Sequence, residues 1–260
     1  MRCPLQEGDF AFPVKYGYCA VGRVVAGPRR GETVFALAPH QSRFACPPAL
    51  AHRLPDGLPP ERAILAANME TALTVVWDSG AGPGDRVAVV GAGVVGALAG
   101  WLCAQLPGAE VTLVDTEPGR AALADALRCG FAAPDRAEGG ADVVIHASAS
   151  AEGLATALRL AGREAVVVEA SWYGDRAVPA PLGGAFHSQR LRLVSSQVGS
   201  LPPARAPRWS HARRMAKALS LLADPALDAL ISGETAFDAL PAAYADILAA
   251  PGTLCHRVRY

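Results

Sequence analysis

The sequence lacks any apolar run long enough to cross a bilayer, and its opening MRCPLQEGDF has no apolar stretch of the kind a secretory signal needs. The most apolar segment, Gly91–Leu106, is too short and too rich in glycine to span. Nor is there an excess of charge of either sign. The 24 basic and 24 acidic side chains cancel, which argues against a nucleic-acid or other polyanionic partner. The basic cluster Arg205, Arg208, Arg213 and Arg214 is then expected to be a solvated loop and helix face. No Cys-x-x-Cys pair occurs. Cys3, Cys19, Cys46, Cys103, Cys129 and Cys255 are scattered, which makes neither a zinc framework nor a disulfide scaffold and suits a reducing cytoplasm.

What is present is apolar substance and one dense motif. With 51% hydrophobic and 18% charged residues in a chain of 260, the protein can bury a core in one large or two modest domains. The motif is Arg86–Arg120. Val87–Val90 is a continuous apolar run suited to a strand buried on both faces. Gly91-Ala92-Gly93-Val94-Val95-Gly96 follows at once and opens an apolar helical segment. A second apolar run, Val111–Val114, closes on Asp115, 19 positions past Gly96. Strand, glycine turn, helix and acid together read as a dinucleotide-binding βαβ unit. Gly91 permits the tight turn, Gly93 lets backbone approach a pyrophosphate, and Gly96 lets the helix pack on the strand. The helix N-terminus at Val94 and Val95 offers free N–H groups to phosphate. Asp115 would accept from the adenosine ribose hydroxyls and repel a 2′-phosphate, favouring NAD over NADP, although Arg120 nearby could tolerate that phosphate. The same turn could instead serve a flavin or S-adenosylmethionine, or no nucleotide.

Around this motif the chain alternates strands and helices. Met1–Arg53 is β-like, with strands expected at Val21–Val25 and Thr33–Leu37 and a continuing rhythm through Arg43–Cys46 and Ala51–Leu54. Pro59-Pro60-Glu61 starts a helix expected to run through Met69 towards Ser79. After Asp115, a helix over Arg120–Arg128, strands near Phe131 and at Ala141–Ala147, a helix over Gly153–Ala161, and strands at Glu164–Glu169 and Leu191–Ser196 specify a doubly wound parallel sheet. Beyond Pro202, Pro203 and Pro207, an amphipathic helix capped by Ser210, a helix over Ala242–Ala249 and a strand over Cys255–Tyr260 complete the chain.

This order of parts resembles the medium-chain dehydrogenase/reductase family, the relatives of alcohol, sorbitol and threonine dehydrogenases. The resemblance implies an α/β fold in which a doubly wound Rossmann sheet is joined to an incomplete GroES-like β-rich catalytic domain built from both chain ends. The implied division is 1–68 and 225–260 for the catalytic part and 69–224 for the nucleotide domain. It implies cofactor contacts at Gly91, Gly93, Gly96, Asp115 and Arg120, at Thr71 against the nicotinamide, and at the Ser196 and Val198 backbone against the carboxamide. Ser148 and Trp172 follow strands at the carboxyl edge of the sheet, where ligands bind in such folds. The metal side departs from the family. Tyr18 in Gly17-Tyr18-Cys19-Ala20-Val21-Gly22 stands where the Gly-His-Glu motif has a zinc-ligand histidine, and Ala67 stands where a Cys or Glu ligand is expected. A catalytic zinc needs three protein ligands, so no zinc is expected. Gly17-Tyr18 before Val21-Gly22-Arg23-Val24 is similar to the bacteriochlorophyllide hydroxyethyl dehydrogenase branch. The chain also begins late relative to the family. It is either a gene model started at an internal methionine or a shortened protein, and the first is expected because missing strands would leave sheet edges unpaired.

Without zinc, hydride transfer still needs a group to take the hydroxyl proton. Tyr18 is the first candidate, with Glu70 beside Thr71 and His40 in Ala38-Pro39-His40-Gln41 as the others; each has a structural alternative as a packed or paired side chain. His187 is a further lone histidine near the last strand of the sheet. Cys19 has no visible base, and His52, His146, His211 and His256 show no pairing with other candidates. The expected function is NAD(H)-dependent, zinc-independent alcohol/carbonyl interconversion on a small-molecule substrate. The rival is a catalytically inactive nucleotide-binding sensor or partner-stabilising subunit. Homodimers through the edge of the nucleotide domain are usual in the family.

Overall fold

The computed structural model describes residues 13–260, so the first part of the β-like lead-in lies outside the described residues. The described chain falls into two compact units. One holds residues up to Ala67 together with His211–Tyr260, and the other is the contiguous Asn68–Ser210.

The first unit opens with β1 (Ala20–Arg23), β2 (Thr33–Ala36) and the two-residue β3 (His52–Arg53), which pair antiparallel in that order. No closed barrel forms among the described residues. Arg43–Cys46, expected to continue the strand rhythm, is unpaired and mostly exposed; Pro47 and Pro48 follow it without ladder donors. The helix expected over 61–79 is two helices, α1 (Pro60–Ala63) and α2 (Ala66–Ser79). Between them the backbone tightens, with Leu65 N–H donating to Arg62 O at 3.1 Å, and the freed Ile64 carbonyl accepts from the Cys19 thiol at 3.5 Å.

The second unit carries the parallel sheet. Its elements are β4 (Arg86–Val90), α3 (Val94–Ala104), β5 (Glu110–Val114), α4 (Arg120–Ala126), β6 (Gly130–Ala132), β7 (Ala141–His146), α5 (Ala151–Leu160), β8 (Ala161–Glu169), α6 (Ala185–Ser188) and β9 (Arg192–Ser195). The strand order is β6-β5-β4-β7-β8-β9, the doubly wound arrangement expected. β4 and β7 are buried on both faces because α3 and α5 cover them, which is why their sequences are continuous apolar runs. Val90, Val144, Leu154, Leu158 and Val167 lie in one buried cluster between sheet and α5. α6, a single turn inside the long 173–190 connection, has no counterpart in the sequence pattern.

The chain end returns to the first unit as α7 (His211–Leu221), β10 (Ile231–Ala236), α8 (Leu240–Ala249) and β11 (Cys255–Arg259). β10 and β11 pair in parallel across α8. β10 is hard to see in the sequence because Ser232, Gly233, Glu234 and Ala236 dilute the β-propensity of Ile231 and Thr235, and an alternation of half-buried and exposed residues marks it. The basic cluster corrects an expectation as well. Arg213 is exposed, but Arg214 is only 2% exposed, and the Arg205 guanidinium stacks 5.3 Å from the Trp77 ring centre rather than standing free in water. No helix of the described residues is long and apolar enough to cross a membrane.

Candidate dinucleotide site

The glycine turn sits between the carboxyl end of β4 and the start of α3, beside the point where strand order reverses from β5-β4 to β4-β7. Each glycine has a different steric reason. Gly91 adopts φ 101°, and a Cβ there would come within 2.7 Å of the Ser148 amide nitrogen on the neighbouring strand end. A Cβ on Gly96 would overlap the Gly91 carbonyl oxygen, so only glycine allows α3 this close to the turn. Gly93 is different. It is exposed, its φ of −71° suits any residue, and a Cβ there would meet nothing within 4 Å. The open space beside Gly93 lies at the N-terminus of an eleven-residue helix that has no side-chain cap, so the first-turn N–H groups of Val94, Val95 and Gly96 are offered outward. This turn fits a dinucleotide pyrophosphate: small, amide-lined and electropositive.

Asp115 follows β5 and is half-buried. Its carboxylate accepts from Ala92 N–H at 2.6 Å and from Glu117 N–H at 2.9 Å, which ties the glycine turn to the end of β5. Arg120, at the first position of α4, is half-buried. On the other side, Ser148 and Trp172 follow β7 and β8. Ser148 is half-buried and Trp172 is 68% exposed. Ser196, just past β9, donates its N–H to the Glu169 carbonyl at 3.0 Å and its hydroxyl to Asp78 at 2.6 Å; Val198 follows in the next turn. Thr71 and the buried Glu70 lie on α2, and the Glu70 carbonyl accepts from Thr74 Oγ1 at 3.0 Å. The second unit thus holds every expected cofactor residue and Glu70.

Tyr18 and His40 belong to the first unit. The Gly17 backbone, at φ 112°, lies against His40, leaving no room for a Cβ, and His40 N–H donates to Tyr16 O at 2.7 Å. Tyr18 is 40% exposed. His40 Nδ1 is 2.9 Å from the Tyr260 hydroxyl, a partner that sequence spacing could not reveal across 220 positions. Burial pushes the His40 pKa below the usual histidine value, and burial pushes the Tyr260 phenol up. Among the described residues no three His, Cys, Asp or Glu side chains cluster as a metal site.

His146, expected to show no pairing with other candidates, is paired in the structure. Fully buried at the end of β7, it sits in register with Glu169 at the end of β8. Its Nδ1 is 2.7 Å from Glu169 Oε2 and its Nε2 is 2.7 Å from Ser148 Oγ. Burial alone would raise the Glu169 carboxyl, but the hydrogen bond and charge of His146, with hydrogen bonds from Ser171, hold it below the usual value. The signal was in the sequence: two neighbouring parallel strands, ADVVIH and EAVVVE, end on complementary polar residues.

Neither a protein-family model nor a curated protein sequence matches the chain. Solved structures do. A zinc-binding dehydrogenase from Sinorhizobium meliloti bound to NADP is 24% identical, with 89% of this chain and 67% of that chain covered and a TM-score of 0.68. L-idonate 5-dehydrogenase from Escherichia coli is 17% identical, with 89% and 64% covered and a TM-score of 0.69. The Bacillus subtilis protein yhfP with NAD bound is 20% identical, with 94% and 81% covered and a TM-score of 0.70. The chain therefore spans about two thirds of the length of the first two. It has the fold of the medium-chain alcohol and polyol dehydrogenases.

Proposed function

We propose that the protein is an NAD(H)-dependent oxidoreductase of the medium-chain type that interconverts an alcohol and its carbonyl without zinc. The observation that carries the nucleotide half is the open space beside Gly93 at an uncapped helix N-terminus, flanked by Asp115. The neighbours' ligands, NADP in one and NAD in another, support a nicotinamide cofactor. The Asp115 carboxylate favours NAD by repelling a 2′-phosphate.

When bound, the nicotinamide supplies the hydride acceptor or donor. The chain's own residues do the rest. The α3 N–H groups hold the phosphates, Asp115 the adenosine ribose, and Thr71, Ser196 and Val198 the nicotinamide side. His40 supplies the proton acceptor. Its lowered pKa keeps the imidazole neutral at pH 7, and the Tyr260 hydroxyl on Nδ1 fixes the ring. Tyr18, on the segment packed against His40, takes the place of a metal in polarising the carbonyl oxygen. A homodimer through the exposed edge strand β9, in the cytoplasm, completes the reading.

The test is calorimetric titration with NADH and NADPH of the protein and of Asp115→Ala. Tight NADH binding that Asp115→Ala weakens supports the site, and no binding of either nucleotide by folded protein sinks it. Steady NADH production with some member of an alcohol panel then separates the enzyme from the sensor or partner-stabilising subunit, which would bind without turnover.

A further inference from the structure

Resting on that reading of the second unit as a dinucleotide domain, the segment that leaves β9 draws in residues from outside the cofactor crevice. Ser196 is pinned from two sides. Its N–H donates to the Glu169 carbonyl on β8 at 3.0 Å, and its hydroxyl donates to Asp78 Oδ2 on α2 at 2.6 Å. The chain then turns twice, with Ser200 N–H donating to the Gln197 carbonyl at 3.2 Å and Arg205 N–H to the Pro202 carbonyl at 2.8 Å. Its far end comes back to the same helix. The Trp209 and Trp77 ring centres are 4.7 Å apart with the planes tilted by 54°, and the Arg205 guanidinium lies 5.3 Å from the Trp77 ring centre. Trp77 and Asp78 are consecutive in the last turn of α2, about 100° apart around its axis. Residues 196–209 therefore bend around the end of that helix and are held to it at both ends.

The same helix carries the other residue assigned to the nicotinamide side. Thr71 stands seven positions before Asp78, two turns of helix, which puts the two on one face of α2. The Asp78–Ser196 contact spans 118 positions of chain, and it sets the separation between Thr71 and the Ser196–Val198 backbone. We infer that Asp78 is a positioning residue. It touches no cofactor, but through the Ser196 hydroxyl it keeps that backbone in register with Thr71. The Trp77–Trp209 stack closes the far end and limits how far the segment moves when the hydroxyl bond opens. A tie that served folding alone would act on every ligand of the crevice equally. The inferred tie acts only on a ligand that extends past the second ribose to the nicotinamide ring.

Calorimetry with NADH and with ADP-ribose, which has both riboses but lacks the nicotinamide, separates these two roles. Asp78→Ala should weaken NADH by about tenfold, the share of a hydrogen bond to a carboxylate, and leave ADP-ribose within about twofold. Ser196→Ala removes the same contact from the other side and should give the same split. The double variant should lose no more than either single one, because both act through one bond. Four results would each overturn the inference and leave the dinucleotide reading standing: unchanged NADH affinity in Asp78→Ala, an equal loss for ADP-ribose, losses that add in the double variant, or a wild type that holds NADH no tighter than ADP-ribose. A folded wild type that binds neither ligand would overturn the dinucleotide reading with it.

Discussion

Gly93 and Gly96 stand three residues apart on one turn, yet an added methyl would do opposite things. At Gly96 it runs into the Gly91 carbonyl, which is backbone and cannot yield. Gly96→Ala should cost about 3 kcal/mol or more, read as a fall in the urea midpoint. At Gly93 the methyl meets nothing. Gly93→Ala should leave the midpoint unchanged and weaken NADH binding at least tenfold in calorimetry, because the methyl fills the space the pyrophosphate needs. Equal loss of stability at both positions would mean the turn is structural only. His40 makes a second residue-scale prediction. Its pKa lies below 6.5, so the unprotonated base is present above that value and lost as pH falls. The kcat/KM for alcohol oxidation should therefore stay level from pH 8 to 7 and fall in an acidic limb below 6.5, a limb that His40→Ala removes. At this scale the glycine turn and Asp115 were legible because their chemistry is local. The His40–Tyr260 contact was not, because nothing in the spacing of two residues 220 positions apart reports their proximity.

Elements were legible in proportion to how much of their own burial they carry. β4, β7 and β8 announce themselves as apolar runs because helices cover both faces of the sheet. β10 does not, since its residues are half-buried at most and its partner β11 lies beyond a helix. The split between α1 and α2 was equally hidden, and Arg62 marks the place. Its Nε and Nη2 donate to Asp228 at 2.7 and 2.8 Å, and Nη1 donates to the Leu222 and Ala223 carbonyls at 3.3 and 3.1 Å. The Asp228 side chain is 56% exposed and can return to water, so the larger loss on truncation is the pair of carbonyls left without a donor. Arg62→Met should cost about 1–3 kcal/mol, measured by urea unfolding, while Asp228→Asn costs less.

At the scale of the whole molecule, acid should act on both units. Glu169 and Asp228 both have folded pKa values below their ordinary ones. Glu169 is lowered against the pull of burial by His146 and Ser171, and Asp228 is lowered first by its hydrogen bond from Arg62. A depressed carboxyl contributes stability that is complete above its unfolded pKa and is lost as pH falls through the folded one. Unfolding free energy from urea titrations should thus hold between pH 7 and 5 and drop below about 4.5, and Glu169→Gln should make the drop shallower. The division of the chain has a consequence for how the protein is made. A ribosome delivers residues 68–210 as an unbroken stretch that holds its entire sheet, so this part can close before synthesis ends. The strands β1 to β3 emerge first, yet their unit is finished only when His211–Tyr260 follows, and Arg62 waits 166 residues for Asp228. Nascent chains stalled short of residue 211 should resist protease over the later-made middle and be cut at the older N-terminal end.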